Sequence, residues 1–117
     1  MPEEDDLRRY LKAIARIPPL SKEEEDELSI AFRSDDLHAS ASANQRLIES
    51  QLRLVISLAR RYRASGLRLV RLIEVGNEGL IQALGRFDPN SDFRFSTYAT
   101  WWIGQAITRA IPDGGRP

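Results

Sequence analysis

An aromatic, hydrogen-bonding helix face is the part of this sequence best suited to chemistry. A helix is predicted from Ser96 or Thr97, either of which can cap it, to about Ile111, before a Pro/Gly-rich stop that includes Gly114. At 100° per residue, one arc is aliphatic and holds Ala99, Ile103, Ala106, Ile107 and Ala110. The opposite arc holds Tyr98, Trp101, Trp102, Gln105, Thr108 and Arg109, and is preceded by Phe93, Arg94 and Phe95.

Two interpretations of this aromatic face stay open on spacing alone. Aromatic residues are mostly buried, so the Trp pair and Tyr98 could complete a core from the second side. However, the aliphatic arc already supplies a core face, and Gln105 and Arg109 interrupt the rings. Rings that stack on bases, an amide that binds a base edge and arginines that bind phosphate are what unstacked DNA requires. Nucleic-acid binding is therefore the alternative to core packing.

The elements that must position this face are also predicted to be helical, because the apolar period is helical and no alternating strand segment stands out. Further helices are expected over residues 6–16, from a Ser21–Glu24 capping box with Leu20 as its staple, over 44–64 as one long helix, and over 69–86. Residues 38–43 are expected to form a loop or a weak helix start, and residues 87–92 a turn. The prediction is one compact, all-α, multi-helix domain over residues 1–117.

Charge and composition exclude several classes of protein. The 117 residues carry 17 basic and 17 acidic side chains, but the first fifty residues are net acidic and the remainder is net basic. There is no cysteine, and His38 is the single histidine, so a metal site is not expected. No apolar run approaches the roughly 20 residues of a membrane span, and the acidic N-terminus is unlike a secretion signal. We therefore expect a cytoplasmic protein without a cofactor.

Charged side chains elsewhere suggest no catalysis. The turn before Pro89 accounts for Asp88, and neither Asp88 nor Asp92 has a catalytic partner, so we do not expect an enzyme. The run 23–27 is interpreted as a solvated acidic helix face, with an acidic DNA mimic as the alternative. The arginines at 60, 61 and 63 are interpreted as surface charges that could also meet phosphate or an acidic partner.

Residues 93–103 and 105–109 resemble the promoter-melting helix of bacterial primary-type sigma factors. Upstream, residues 6–11 and 19–21 are similar to conserved region 1.2 of that family, residues 47–62 to region 2.1, and residues 72–80 to region 2.2. The resemblance implies a single sigma domain 2, with residues 1–35 like region 1.2 and residues 44–111 like regions 2.1 to 2.4. A third or fourth sigma domain is not expected, so no −35 element would be read.

The resemblance also implies a function. Such a domain binds the clamp helices of core RNA polymerase, recognises the promoter −10 element, and opens DNA by flipping and stacking non-template bases. Trp101 and Trp102 would wedge against the last paired base. The residues implied to face upstream duplex are Gln105, Thr108 and Arg109, and those implied to line the pocket for the flipped −11 adenine are Phe93, Phe95, Thr97 and Tyr98. Gln51 stands where the family has an asparagine that helps to hold the −7 base, and this changed position is kept in the DNA-binding set. Asp88 and Arg94 complete the set, and Arg8, Leu11 and Lys12 would lie near downstream DNA.

The polymerase-facing positions implied by the resemblance differ from the family's usual residues. They are Arg71, Glu74, Val75, Asn77 and Ile81, of which Asn77 alone keeps the usual type. Arg71 replaces an acidic residue, and such a reversal at an interface can cost several kcal/mol. The alternative to an initiation factor is therefore a sigma-derived regulator, natural or engineered, that binds DNA or protein alone and has lost standard polymerase binding. An anti-sigma protein is a further expected partner.

Overall fold

The computed structural model describes residues 2–112, with side chains from residue 4 onward, so the Gly114 stop signal lies outside the described residues. Within this range the chain forms six α-helices, one more than predicted, and no strand, which confirms the all-α fold class. The helices are α1 (Pro2–Ala15), α2 (Lys22–Phe32), α3 (Leu37–Ser50), α4 (Leu52–Arg60), α5 (Leu69–Arg86) and α6 (Phe95–Ala110), with one 3₁₀ turn at Arg63–Ser65. The turn predicted over residues 87–92 is non-helical.

The core is centred on the long pair α5 and α6, against which α3 and α4 pack. Its fully buried side chains come from four helices and include Leu47, Val55, Leu72, Leu80, Leu84, Phe95, Ile103 and Ile107. Two glycines in α5 permit the close approach. A Cβ on Gly79 would lie 2.6 Å from the Trp102 carbonyl oxygen, and one on Gly76 would lie 2.8 Å from Val55 Cγ1. Close packing therefore explains both interior glycines, despite their cost to helix propensity.

The predicted capping box at the start of α2 is confirmed. The Glu24 backbone N–H donates to Ser21 Oγ at 3.1 Å, and the Ser21 backbone N–H donates to Glu24 Oε1 at 3.0 Å. These hydrogen bonds satisfy two donors that the helix terminus leaves free. The Leu20 side chain is buried beside this start.

The capping box gives the stability a dependence on pH. Hydrogen bonds from the Ser21 backbone and side chain lower the pKa of Glu24 below its ordinary value. The resulting stabilisation is complete above the unfolded-state pKa of about 4.3 and is lost as pH falls through the folded-state value. We expect urea unfolding of the Glu24→Gln variant to show a weaker dependence on pH between about 6 and 3 than the wild type. Equal pH dependence in the two proteins would contradict this role.

The prediction of one helix over residues 44–64 is wrong. Of the two alternatives for residues 38–43, the helix start is confirmed and the loop is not. Asp36 Oδ1 accepts hydrogen bonds from the His38 and Ala39 backbone N–H groups, at 3.0 and 3.1 Å, and starts α3 seven residues earlier than predicted. The helix then breaks at Gln51, with φ −109° and ψ 5°, and α4 ends at Arg60. No proline or glycine marks this break, so the sequence carries no local signal for it.

The ends of α1 and α6 also differ from prediction. The first helix extends to Pro2, and Arg53 of α4 donates to the carbonyl oxygens of Ile14 and Ala15 at its other end. The predicted cap of α6 by Ser96 or Thr97 is wrong, because Arg94 holds the cap position and makes no side-chain capping bond to that end. The side chain that accepts a hydrogen bond from the first turn of α6 belongs to another helix, α2.

Candidate nucleic-acid interface

The last helix is amphipathic in the sense predicted, with one face in the core and the other towards solvent. Ala99, Ile103 and Ile107 are completely buried, whereas Trp101 is 58% exposed and Arg109 is exposed. The remaining residues of the outer arc are half-buried and comprise Tyr98, Trp102, Gln105 and Thr108. The interpretation that these rings complete the core therefore fails for Trp101. It holds in part for Trp102 and Tyr98, which are half-buried.

A continuous row of rings leads from the core to this outer face. Phe87 packs on Phe95 at 5.3 Å and on Tyr98 at 5.7 Å between ring centroids. Tyr98 packs on Trp102 at 6.2 Å, and Trp102 meets Trp101 edge-on at 5.3 Å with an interplanar angle of 86°. Such offset and edge-to-face pairs are the preferred arrangements of aromatic rings. The exposed Trp101 ring therefore stands on a supported platform.

Arg86, which the sequence reasoning missed, lies over the second ring of this platform. Its guanidinium carbon is 5.0 Å from the Trp102 centroid, a cation–π distance. Arg86 ends α5, and its distance in sequence from Trp102 leaves no local signal for the contact. It brings a positive charge to the aromatic face, which the helix itself supplies only through Arg109.

Phe93 and Phe95, which lie before and at the start of α6, differ in their exposure to solvent. The Phe93 ring is 65% exposed, whereas Phe95 is completely buried against Phe87. A base could not contact the Phe95 ring without opening the core. The structure therefore brings Phe93, Thr97 and Tyr98 to the surface and does not bring the Phe95 ring there, because the inward period of α6 begins at that residue.

Glu25 corrects the interpretation of residues 23–27 as a uniformly solvated face. Its side chain is buried, with 1% of the residue exposed. Glu25 Oε1 accepts from Arg94 Nη2 at 2.6 Å, and Oε2 accepts from the Phe95 backbone N–H at 3.3 Å. A signal for this was present, since the helical period that places Leu28 and Phe32 inward also places Glu25 inward.

This carboxylate fixes the start of the aromatic helix. A negative charge beside the first N–H groups of α6 satisfies a free donor and interacts favourably with the positive end of the helix dipole. Arg94 Nη2 also donates to the Leu20 carbonyl oxygen at 2.9 Å, and its hydrogen bond to Glu25 raises the pKa of the guanidinium. Arg94 is thereby held between α2 and α6, and its predicted contact with DNA would have to be made from that position.

We expect Glu25→Ala to destabilise the fold by about 2–3 kcal/mol, because it removes a hydrogen-bonded charge and leaves the Phe95 N–H without an acceptor. The measurement is the free energy of unfolding in urea. Glu27→Ala, an exposed carboxylate on the same helix, is the matched control and is expected to change it by less than about 0.5 kcal/mol. Equal effects of the two substitutions would contradict the role given to Glu25.

The other predicted DNA contacts lie on separate elements. Gln51 is 7% exposed at the α3–α4 break, where its Nε2 donates to Ser50 Oγ at 3.3 Å. Asp88 is exposed and accepts from the Asn90 backbone N–H at 2.9 Å, as a turn residue does. Arg8 and Lys12 are exposed on α1, with Leu11 half-buried beside them. Within the described part of the chain, no hydrogen bond, ion pair or ring contact connects these residues to the row of rings.

Four of the five predicted polymerase-facing residues reach the surface of α5. Arg71 and Glu74 are exposed and pair with each other at 3.3 Å, and Ile81 is 55% exposed. Asn77 is half-buried and donates to Tyr10 Oη at 3.4 Å. Val75 is 4% exposed, so the prediction that it faces a partner is wrong. It lies one turn after Leu72 on the inward stripe of α5, so a change there acts on packing.

Neither a membrane-spanning segment nor a metal cluster occurs in the part of the chain that the structure describes. None of its helices combines the length and the apolar character needed to cross a bilayer. Between residues 2 and 112, no three His, Asp or Glu side chains are grouped so that they could hold a metal ion.

Comparison with known families identifies the two parts of this arrangement. Residues 47–116 match the family described as sigma-70 region 2, and residues 5–37 match sigma-70 factor region 1.2. The chain belongs to the sigma-70 family. Within it, the Glu25–Arg94 ion pair joins the two matched regions, because Glu25 lies in region 1.2 and Arg94 in region 2.

Several relatives within the sigma-70 family are each described as RNA polymerase sigma factor SigA. The chain is 51% identical to that of a Bacillus species over 112 residues, which cover 96% of this chain and 29% of the relative. It is 50% identical to that of Clostridium acetobutylicum, covering 97% and 29%, and 48% identical to that of Lactococcus lactis subsp. cremoris, covering 97% and 31%. The chain therefore spans less than a third of the length of these relatives.

Proposed function

We propose that this sigma-70 domain acts in transcription initiation, and that it recognises the promoter −10 element and opens DNA there while bound to core RNA polymerase. The observation that carries the proposal is the exposed Trp101 ring, held edge-on against a Trp102 that Tyr98 and Arg86 support. A supported ring with an open face is suited to stack on the last base pair of the duplex, in place of a base that has been flipped out.

The energetics of strand opening are compatible with this site. Extruding a base costs a few kcal/mol, and stacking it on an aromatic side chain returns about 1–3 kcal/mol. Because the rings already contact one another in the free domain, little ordering remains to be done on binding. Binding energy can therefore drive the opening, and no nucleotide hydrolysis is required.

The outer arc divides the proposed contacts by chemistry. Trp101 and Trp102 would stack on the last paired base, and Phe93, Thr97 and Tyr98 would surround the flipped adenine. Gln105 and Arg109, one turn apart, would meet the upstream duplex. Thr108 Oγ1 donates to the Gly104 carbonyl oxygen at 3.0 Å, so its hydroxyl retains acceptor capacity towards DNA.

The exposed side of α5 is the proposed contact with the polymerase clamp helices. Arg71 and Glu74 are each more than half exposed, and an ion pair of this kind contributes about 0–1 kcal/mol. Docking can therefore exchange this pair for contacts with the partner at little cost. The proposed surface consists of Arg71, Glu74, Asn77 and Ile81.

Two titrations test the proposal. The purified chain is titrated with core RNA polymerase, and then, alone and in complex, with a single strand carrying the −10 element. We expect polymerase binding, and capture of the non-template strand in preference to its complement. Capture of DNA with no measurable affinity for polymerase would contradict initiation and favour a stand-alone regulator. Polymerase binding without strand preference would contradict the recognition step.

A further inference from the structure

The turn from α2 to α3 exposes aliphatic side chains in acidic surroundings. Ile30 is 61% exposed and Leu37 is 84% exposed. Around them, residues 21–49 contain eight acidic and three basic side chains. We call the surface formed by Glu27, Ile30, Asp35, Asp36 and Leu37 the acidic corner; all five residues are exposed.

None of the basic side chains near the acidic corner forms an ion pair with Glu27, Asp35 or Asp36 among the described residues. Lys22 pairs with Asp26 at 3.0 Å, and Arg33 donates to the backbone carbonyl oxygens of Ser29, Leu84 and Phe87. Arg46 donates to the Pro18 carbonyl oxygen at 3.2 Å. Within the described residues, no ion pair is recorded for Glu27, Asp35 or Asp36. Two large aliphatic side chains and three carboxylates close together in the chain are therefore exposed to solvent, and one of the carboxylates, Asp36, also caps α3.

A groove of opposite charge lies between α1 and α4. It has a volume of about 370 Å³ and is lined by Leu11, Ile14 and Ile56 and by Arg53, Ser57 and Arg60, with no carboxylate in its lining. Residues 50–73 contain six arginines and neither Asp nor Glu. Arg53 is tied to the end of α1, whereas no ion pair is recorded for Arg60 in the described part of the chain. We call this surface the cationic groove.

We propose that the acidic corner of one copy of this chain docks in the cationic groove of a second copy, with Leu37 as the apolar anchor. The groove combines an aliphatic floor with arginines, and the corner combines aliphatic side chains with carboxylates, so the two match in both respects. No aromatic ring lines the groove, and stacking on rings is how proteins hold single strands. The aliphatic floor therefore favours a protein occupant over a nucleic acid.

The geometry makes this contact heterologous. The two surfaces share no residue, so each copy that uses its corner leaves its groove free for another copy. Association should therefore continue beyond two copies unless a ring closes. Because the groove is lined by only a few residues, we expect a contact in the class below about 1,200 Å² and dissociation constants in the micromolar range or weaker. Because Leu11 lines the groove, association also covers part of the α1 surface that is predicted to lie near DNA.

Sedimentation equilibrium of the full chain tests the proposal. The wild type is expected to show a mean mass that rises with concentration above the 13.3 kDa of one chain, and less so when NaCl is raised from about 0.1 M to about 0.5 M. Leu37→Asp removes the anchor and Arg60→Glu reverses the groove, so each variant alone is expected to remain monomeric. Both positions are exposed, and circular dichroism verifies the fold.

Mixing the two variants gives the sharper result. Each retains the surface that the other has lost, so equal amounts are expected to form 1:1 pairs and nothing larger. Arg109→Glu, a reversal that belongs to neither surface, is expected to associate like the wild type. The proposal is wrong if the wild type stays monomeric, if either variant still self-associates, or if the mixture does not pair. A monomeric wild type whose groove binds an oligonucleotide would identify nucleic acid as the occupant.

Discussion

Trp101→Ala is expected to weaken capture of forked promoter DNA by the polymerase-bound domain about 10–100-fold, with little loss of stability. The physical reason is that Trp101 is 58% exposed, so its ring contributes little to the core but is available to stack on a base, an interaction of about 1–3 kcal/mol. The free energy of unfolding is expected to change by less than about 0.5 kcal/mol. Fluorescence of a base analogue at −11 measures opening, and circular dichroism measures helical content.

Trp102→Ala is expected to differ from Trp101→Ala in a specific way. Trp102 packs between Tyr98 and Trp101 and lies under Arg86, so its removal also costs about 1–2 kcal/mol of stability. The double variant is expected to abolish opening while the domain remains helical. Ile30→Ala, which removes an exposed aliphatic side chain outside the aromatic face, is the control. It is measured at low concentration because Ile30 belongs to the acidic corner proposed for self-association. Opening that survives the double substitution would exclude the proposed wedge.

Gly79→Ala is expected to destabilise the domain by about 3 kcal/mol and to lower its Tm by about 10 °C. The added Cβ would lie 2.6 Å from the Trp102 carbonyl oxygen, 2.9 Å from Ala106 Cβ and 3.0 Å from Ile103 Cα. Two of these are backbone atoms, which no rotamer change can move, so α6 must shift away from α5. That shift outweighs the gain of about 1 kcal/mol in helix propensity.

The same helix provides a control for this prediction. Gly85 has no atom within 4 Å of an added Cβ, and its φ is not positive, so Gly85→Ala is expected to stabilise the domain by about 0.5–1 kcal/mol. Chemical denaturation of both variants measures the contrast. Because Trp102 is displaced with α6, Gly79→Ala is also expected to weaken DNA capture. Equal stabilities of the two variants would contradict the close contact between α5 and α6.

The predictions for the Trp pair and for Gly79 concern one structural unit, the packed helices α5 and α6. Glycine at position 79 sets the distance between α5 and α6, and the Glu25 carboxylate fixes where α6 begins. The aromatic platform is thus held at its start by α2 and along its length by α5. A substitution remote from the rings can therefore reduce DNA capture by moving the platform, without removing any group that contacts DNA.

Local patterns predicted several elements correctly. The capping box at Ser21, helix α5, the turn after it and the two faces of α6 each depend on residues within a few positions of one another. Such spacing fixes a period or a cap regardless of what the element packs against. The break at Gln51 was missed because the apolar period runs on through it and no proline or glycine marks it. In the structure α3 packs mainly on α2, whereas α4 packs on α5 and α6.

The sequence by itself determined that this protein is an all-helical member of the sigma-70 family with an aromatic outer face on its last helix. The reason is that helical period and motif are written in residues close together in the chain. Only the tertiary structure decided which of the predicted residues are accessible to a partner. Trp101 is exposed, Phe95 and Val75 are buried, and Glu25 is buried and accepts a hydrogen bond from the start of α6. Burial depends on contacts between residues distant in sequence, such as the 70 positions that separate Glu25 from Phe95. The helical period indicates that Glu25, Val75 and Phe95 face inward, but no local pattern identifies the distant residues that each of them contacts there.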